Sequence, residues 1–137
     1  MDIQALLNTL SHSAKQTRSG YHMTLGKLIA ALEAAPQDAV VRLDSGGFPA
    51  DPHSYRGYYE DLSFKPAEGE SPTVAAFLTT CRGVHGQTLT GYKGGDFLMG
   101  DDAVLWVAGY GQSSGLAMTG ASVNDGVFTI ATKQVED

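Results

Sequence analysis

The sequence predicts an α+β domain in which a mainly antiparallel sheet carries two or three amphipathic helices packed on one face. Three observations lead there. Residues 24–35 and 71–83 repeat apolar side chains at helical spacing. The chain beyond residue 88 reads as short strands, and many of its seventeen glycines stand between those strands, where tight turns are needed. At 137 residues, 42% hydrophobic and 18% charged, the chain has the size and composition of one compact domain with a real core. We divide it into an N-terminal helical extension, residues 1–22, and a single α+β domain, residues 23–137.

In the extension, Ile3, Leu6, Leu7 and Leu10 form one apolar stripe of about two turns. So short a helix is marginal alone in water, so its stripe is expected to pack on the domain or on a neighbouring chain. The next helix, residues 24–35, places Leu25, Leu28, Ile29 and Leu32 on one face, with Thr24 as N-cap and Pro36 as terminator. A short strand over 39–43 follows, then a loop over 44–54 containing Pro49 and Pro52. Residues 55–62 acquire strand character in their second half. A further helix opens at Ser71 and Pro72, read as N-cap and first helical position, and aligns Val74, Phe77, Leu78 and Cys81. Strands are expected at 88–90, 97–99, 104–108, 116–123 and 127–132. Asn124, Asp125 and Gly126 form the strongest hairpin signal, because Gly126 accepts positive φ. Trp106, inside a continuously apolar run, is expected to pack in the core from a central strand.

Charge narrows the function. Nine Lys and Arg against fifteen Asp and Glu, a net charge of −6, oppose sequence-independent binding to a nucleic-acid polymer. The single cysteine, Cys81, excludes a disulfide within the chain and reads as a buried helix residue. No apolar run reaches the roughly 18 residues of a membrane span, and residues 1–20 lack the basic start and apolar stretch of a secretory signal. The expected location is the cytoplasm.

Catalytic motifs fit poorly. Residues 111–115 spell Gly-x-Ser-x-Gly, but a strand rather than a helix follows and no histidine lies downstream. His12, His22, His53 and His85 show no metal-ligand spacing and read as loop or surface residues. Glu60, Asp61 and Asp96 offer acid-base groups, read first as solvated carboxylates pairing with nearby cations. No cofactor or metal is expected.

The residues that stand out are aromatic and basic side chains among glycines. Tyr55, Arg56, Tyr58 and Tyr59 surround Gly57; Tyr92 and Lys93 sit between Gly91 and Gly94; Tyr110 lies between Gly109 and Gly111. Glycine turns let backbone N–H groups converge on an anion, tyrosine rings offer flat faces to a base, and guanidinium grips phosphate with two prongs. A nucleotide suits this chemistry. Structural turns and a protein interface built on the same aromatics are the other readings. The order helix, strand, aromatic-basic-glycine also occurs twice, ending in residues 55–57 and 92–94, as an internal repeat would.

The blocks at residues 54–62, 90–97 and 106–115, with the helix before Pro36, resemble a widespread set of small bacteriophage proteins that share Ser-Tyr-Arg-Gly-Tyr-Tyr, Gly-Tyr-Lys-Gly-Gly and Trp-Val-Ala blocks. The resemblance spans roughly residues 23–120, and Gly109 stands where that set often has Asn. It implies a phage accessory protein, acting in the host cytoplasm, and an anti-defence role by analogy. The expected function is therefore sequestration, without catalysis, of a nucleotide-type immune signal such as a cyclic ADP-ribose derivative or a cyclic oligonucleotide. Arg56 and Lys93 would hold phosphates, and Tyr55, Tyr58, Tyr59, Tyr92 and Tyr110 would stack or wall the pocket. The alternatives are a protein-binding inhibitor and a hydrolase using Glu60, Asp61 or Asp96.

Short strands leave edges and the stripe from Ile3 to Leu10 needs a surface, so the chain is expected to form a homo-oligomer. Light scattering coupled to size exclusion should report more than one copy, and truncation before Met23 should lower that number. A monomer at high concentration contradicts the expectation.

Overall fold

The computed structural model describes residues 22–55, 58–91, 94–108 and 115–135. Helix α1 (Leu25–Ala34) starts where expected. Thr24 Oγ1 accepts from Lys27 N at 3.4 Å, while the first-turn N–H groups of Leu25 and Gly26 donate to Ala103 O and Asp101 O. The helix stops at Ala35 before Pro36, and Gln37 Nε2 takes up the carbonyls of Leu32 and Ala35. Strands β1 (Val40–Leu43), β2 (Phe48–Tyr55) and β3 (Tyr58–Ala67) follow, then helix α2 (Val74–Val84) and strands β4 (Thr88–Thr90), β5 (Asp96–Leu98), β6 (Leu105–Val107), β7 (Leu116–Asn124) and β8 (Val127–Gln134).

The architecture corrects the expected one. Strand accounts for 49% of the structure, and a mixed six-stranded sheet in the order β1-β8-β7-β6-β3-β2 curls into a nearly closed barrel. Two of its ladders, β1 with β8 and β3 with β6, are parallel. The described residues contain two helices, and these share one core with the inner side of the curled sheet instead of lying on a flat antiparallel face. Local alternation shows that a segment is a strand; it carries no information on which distant strand will pair with it, or in which direction.

Closure comes from the link between β1 and β2, the two ends of the strand order. Leu43 N donates to Gly47 O at 2.9 Å across the turn 44–47, and Asp44 accepts hydrogen bonds from Thr132 N and Thr132 Oγ1 on β8. Gly47 is demanded twice: its φ is +74°, and a Cβ there would lie 2.5 Å from Ala67 O. Residues 48–54, expected as loop, are strand β2. Its prolines are tolerated because β2 ends the sheet order and a register shift between Ala50 and His53 absorbs Asp51 and Pro52.

The N-cap of α2 is Thr73, whose Oγ1 accepts from Ala76 N, and not Ser71; Pro72 O instead accepts from Val41 N and so ties the approach to α2 onto β1. The hairpin at Asp125 and Gly126 forms as expected, with φ of +51° and +76° at its two central residues. The suggested repeat does not correspond in space: the strand after α1 joins the barrel, whereas the strand after α2 pairs only with β5 in a separate two-stranded sheet. Among the described residues no helix is long and apolar enough to cross a membrane. The extension's Ile3, Leu6, Leu7 and Leu10 lie outside the described residues.

Leu28 and Leu32 from α1, Phe77 and Cys81 from α2, and Leu62, Phe64, Phe128 and Ile130 from the sheet meet in the main core. Burial pushes the Cys81 thiol from 9.0 up to about 12. Native protein should therefore resist thiol reagents at pH 8 and react only after denaturation. Because the folded thiol binds its proton more tightly than the unfolded one, this contribution to stability is complete below about pH 9 and is lost as pH rises from about 9 towards 12. Chemical denaturation across that range checks the sign, and reaction of native Cys81 as fast as a free thiol contradicts the burial.

Candidate functional site

The barrel strands have a second side. Along β3, Leu62 and Phe64 enter the main core while the alternating residues Asp61 and Ser63 are also fully buried, on the opposite side. In β6, Leu105 and Val107 likewise face the core and Trp106 faces away from it. Strand register sets His53, Ser63, Trp106 and Ala117 in one row across β2, β3, β6 and β7.

Trp106 is the centre of this side. Its Nε1–H donates to Asp61 Oδ2 at 2.9 Å, and Tyr55 stacks on it with ring centroids 4.4 Å apart and planes 10° from parallel. Tyr58 lies nearly parallel at 6.3 Å, and the His22 ring tilts against the indole at 4.5 Å. His22 arrives there because Met23 N donates to Met118 O and Met23 O accepts from Leu105 N, which binds the chain entering α1 onto β6 and β7. Burying a carboxyl group is costly unless its oxygens accept hydrogen bonds, and the indole N–H supplies one to Asp61.

The three glycine-aromatic blocks meet around the start of β3. Tyr55 links the first block to the third through its stack on Trp106 and through its hydroxyl oxygen, which accepts from Gly115 N at 2.8 Å. Tyr59 links the first to the second: its ring lies 5.5 Å from Phe97, and Gly91 approaches so closely that a Cβ there would be 2.8 Å from the Tyr59 ring. Ser54 Oγ donates to Tyr59 O and ties the end of β2 to the start of β3.

Of the residues singled out from sequence, Tyr55 is buried and walls the site without an open stacking face, Tyr59 is half-buried, and Tyr58, 36% exposed, presents its ring to solvent. Arg56, Tyr92, Lys93 and Tyr110 lie outside the described residues, as do the serines of the Gly-x-Ser-x-Gly run. Two readings are corrected. His22 is not a surface residue but is 3% exposed against Trp106, and Asp61 is not solvated but wholly buried on the indole. Trp106 and Cys81 are buried as expected.

Sequence reasoning read His53 only as a loop or surface residue and passed over Ser63. The ring of His53 is held by a 2.8 Å hydrogen bond between Nδ1 and Asp51 O, at a residue whose φ is +47°. His53 Nε2 and Ser63 Oγ are both buried without a hydrogen-bond partner. A polar group left so costs about 1–3 kcal/mol. The alternation of Asp61, Leu62, Ser63 and Phe64 signals two-sidedness, but it normally means a wet outer face.

Elsewhere, a cleft of about 270 Å³ between the helices is lined by Gly26, Ile29, Glu33, Arg82, His85 and Asp101. It is spanned by the Arg82–Glu33 ion pair at 3.2 Å and the His85–Asp101 hydrogen bond at 2.7 Å, both exposed enough to add little stability. No cluster of three metal-ligating side chains occurs among the described residues. No protein-family model matches the chain, and no curated protein or solved structure matches it significantly.

Trp106 is the chain's one tryptophan, so its fluorescence reports this side alone. Asp61→Ala should lower stability by about 2–3 kcal/mol, the cost of stranding a buried donor, and should shift Trp106 emission. Denaturation followed at Trp106 tests both, and unchanged stability would show that the 61–106 bond holds nothing.

Proposed function

We propose that this protein binds and sequesters a nucleotide-type small molecule, without transforming it, at the junction of its three glycine-aromatic blocks. The observation that supports this reading is that the first block touches both others: Tyr55 contacts Trp106 and Gly115, sixty residues on, and Tyr59 contacts Gly91 and Phe97. Tyr58 offers the exposed ring for a base, with Trp106 and Tyr55 backing it. Arg56 and Lys93 belong to the two blocks that Tyr59 draws together, and in a chain of net charge −6 a phosphate needs such local cations. Stacking is worth about 1–3 kcal/mol and a charged hydrogen bond about 1.5–3 kcal/mol, so a ring and two cations offset the cost of immobilising a small ligand. In line with the bacteriophage resemblance of the blocks, the ligand class we assign is a host immune nucleotide. A homo-oligomer in the host cytoplasm is part of the same proposal.

A second reading, a protein-binding inhibitor, is favoured by Leu98, 63% exposed on β5 beside the Phe97 that touches Tyr59. One experiment separates the two. The protein is incubated with a panel of cyclic and linear nucleotides, washed and denatured, and the released molecules are analysed by mass spectrometry. An intact nucleotide supports sequestration, a cleaved one indicates a hydrolase, and none, with a specific protein recovered in its place, favours the inhibitor. Tyr58→Ala should weaken nucleotide binding about tenfold with a small change in melting temperature. Tyr55→Ala should cost about 3 kcal/mol of stability, because a buried ring is lost. Wild-type affinity in Tyr58→Ala removes the base from that ring.

A further inference from the structure

The pair His53 and Ser63 is unexplained by packing or by the residues assigned above. The two are register partners on β2 and β3, so their side chains leave the sheet on the same side and stand one cross-strand spacing apart. Asp51 O can only accept a hydrogen bond, so in the neutral ring Nδ1 carries the proton and Nε2 is an acceptor. Ser63 Oγ–H is a donor. Neither atom has a partner, and both are buried. The register thus places one acceptor-bearing and one donor-bearing residue opposite each other, with Trp106 next in the row beyond Ser63 and Tyr55 two residues from His53 on the same side.

Resting on the nucleotide reading above, we propose that His53 Nε2 and Ser63 Oγ form the recognition site for a sugar hydroxyl, which makes the ligand class a ribonucleotide with a free ribose hydroxyl. A hydroxyl group is the match to this pair: its hydrogen goes to Nε2, and its oxygen accepts from Ser63. An ionised phosphate oxygen has no hydrogen to give Nε2, and an apolar group satisfies neither atom. His53 is itself partly exposed and lies on the terminal strand of the sheet order, while Ser63 is wholly buried.

The test is calorimetric titration of the full-length protein with AMP and with 2′,3′-dideoxy-AMP, for wild type, Ser63→Ala and His53→Phe. Wild type should bind AMP about tenfold more tightly than the dideoxy form, and each variant should bind the two forms within about threefold of one another. His53→Phe keeps a ring of similar shape, so the assignment stays testable if one variant folds poorly. Equal affinity of wild type for the two forms overturns this assignment while leaving the nucleotide reading intact. A preference that persists in both variants also overturns it. No binding of either form removes the assignment too, whereas the nucleotide reading stands or falls on the released-ligand analysis.

Discussion

Strand β6 is the constraint on which the remainder depends. Three residues long and buried throughout, it pairs parallel to β3 on one side and antiparallel to β7 on the other. So short a strand has few ladder hydrogen bonds with which to hold its place. Side chains make up the difference: Leu105 and Val107 anchor it in the helical core, and Trp106 anchors it on the other side through its bond to Asp61. The chain entering α1 adds a third tie at Met23, and the turn ahead of β6 supplies the carbonyls that cap the first turn of α1. A slip of one residue in β6 would exchange the indole for an aliphatic side chain on both faces at once.

The same anchoring creates a polar layer where a small domain would normally have solvent. Asp61 and Ser63 occupy positions that alternation assigns to the outside, yet neither has accessible surface. Tyr55, Trp106 and Ala117 form a small cluster of their own on that side, with His22 against the indole. Aromatic rings cover a large area while carrying polar edges, so this layer combines burial with hydrogen-bonding groups. The bond between Asp61 and Trp106 completes part of it, and His53 with Ser63 leaves part of it open. Unsatisfied buried polar atoms cost stability, and a fold carrying two of them in facing positions gains when a ligand group completes them.

Strand order brings the blocks together. The β1–β2 turn joins the two ends of the strand order, and Asp44 fastens that turn to β8. With β3 held between β2 and β6, the first block touches the second through Tyr59 and the third through Tyr55.

By itself the sequence determined the local elements. Thr24 and Pro36 bound α1, apolar residues at helical spacing mark α2, and Asp125 with Gly126 makes the hairpin, because each depends on the conformational preferences of a few adjacent residues. The burial of Trp106 and Cys81 was legible for the same reason, since Trp106 sits in a continuous apolar run and Cys81 on the apolar face of a helix. Tertiary structure alone decided the parallel pairing of β1 with β8 and β3 with β6, the use of a proline-bearing segment as strand β2, and the burial of His22, Asp61 and Ser63. Those outcomes turn on contacts between residues tens of positions apart, and the free energy of such a contact belongs to the pair and to what surrounds it. No local pattern around Asp61 distinguishes a carboxyl group facing water from one facing an indole N–H forty-five residues later.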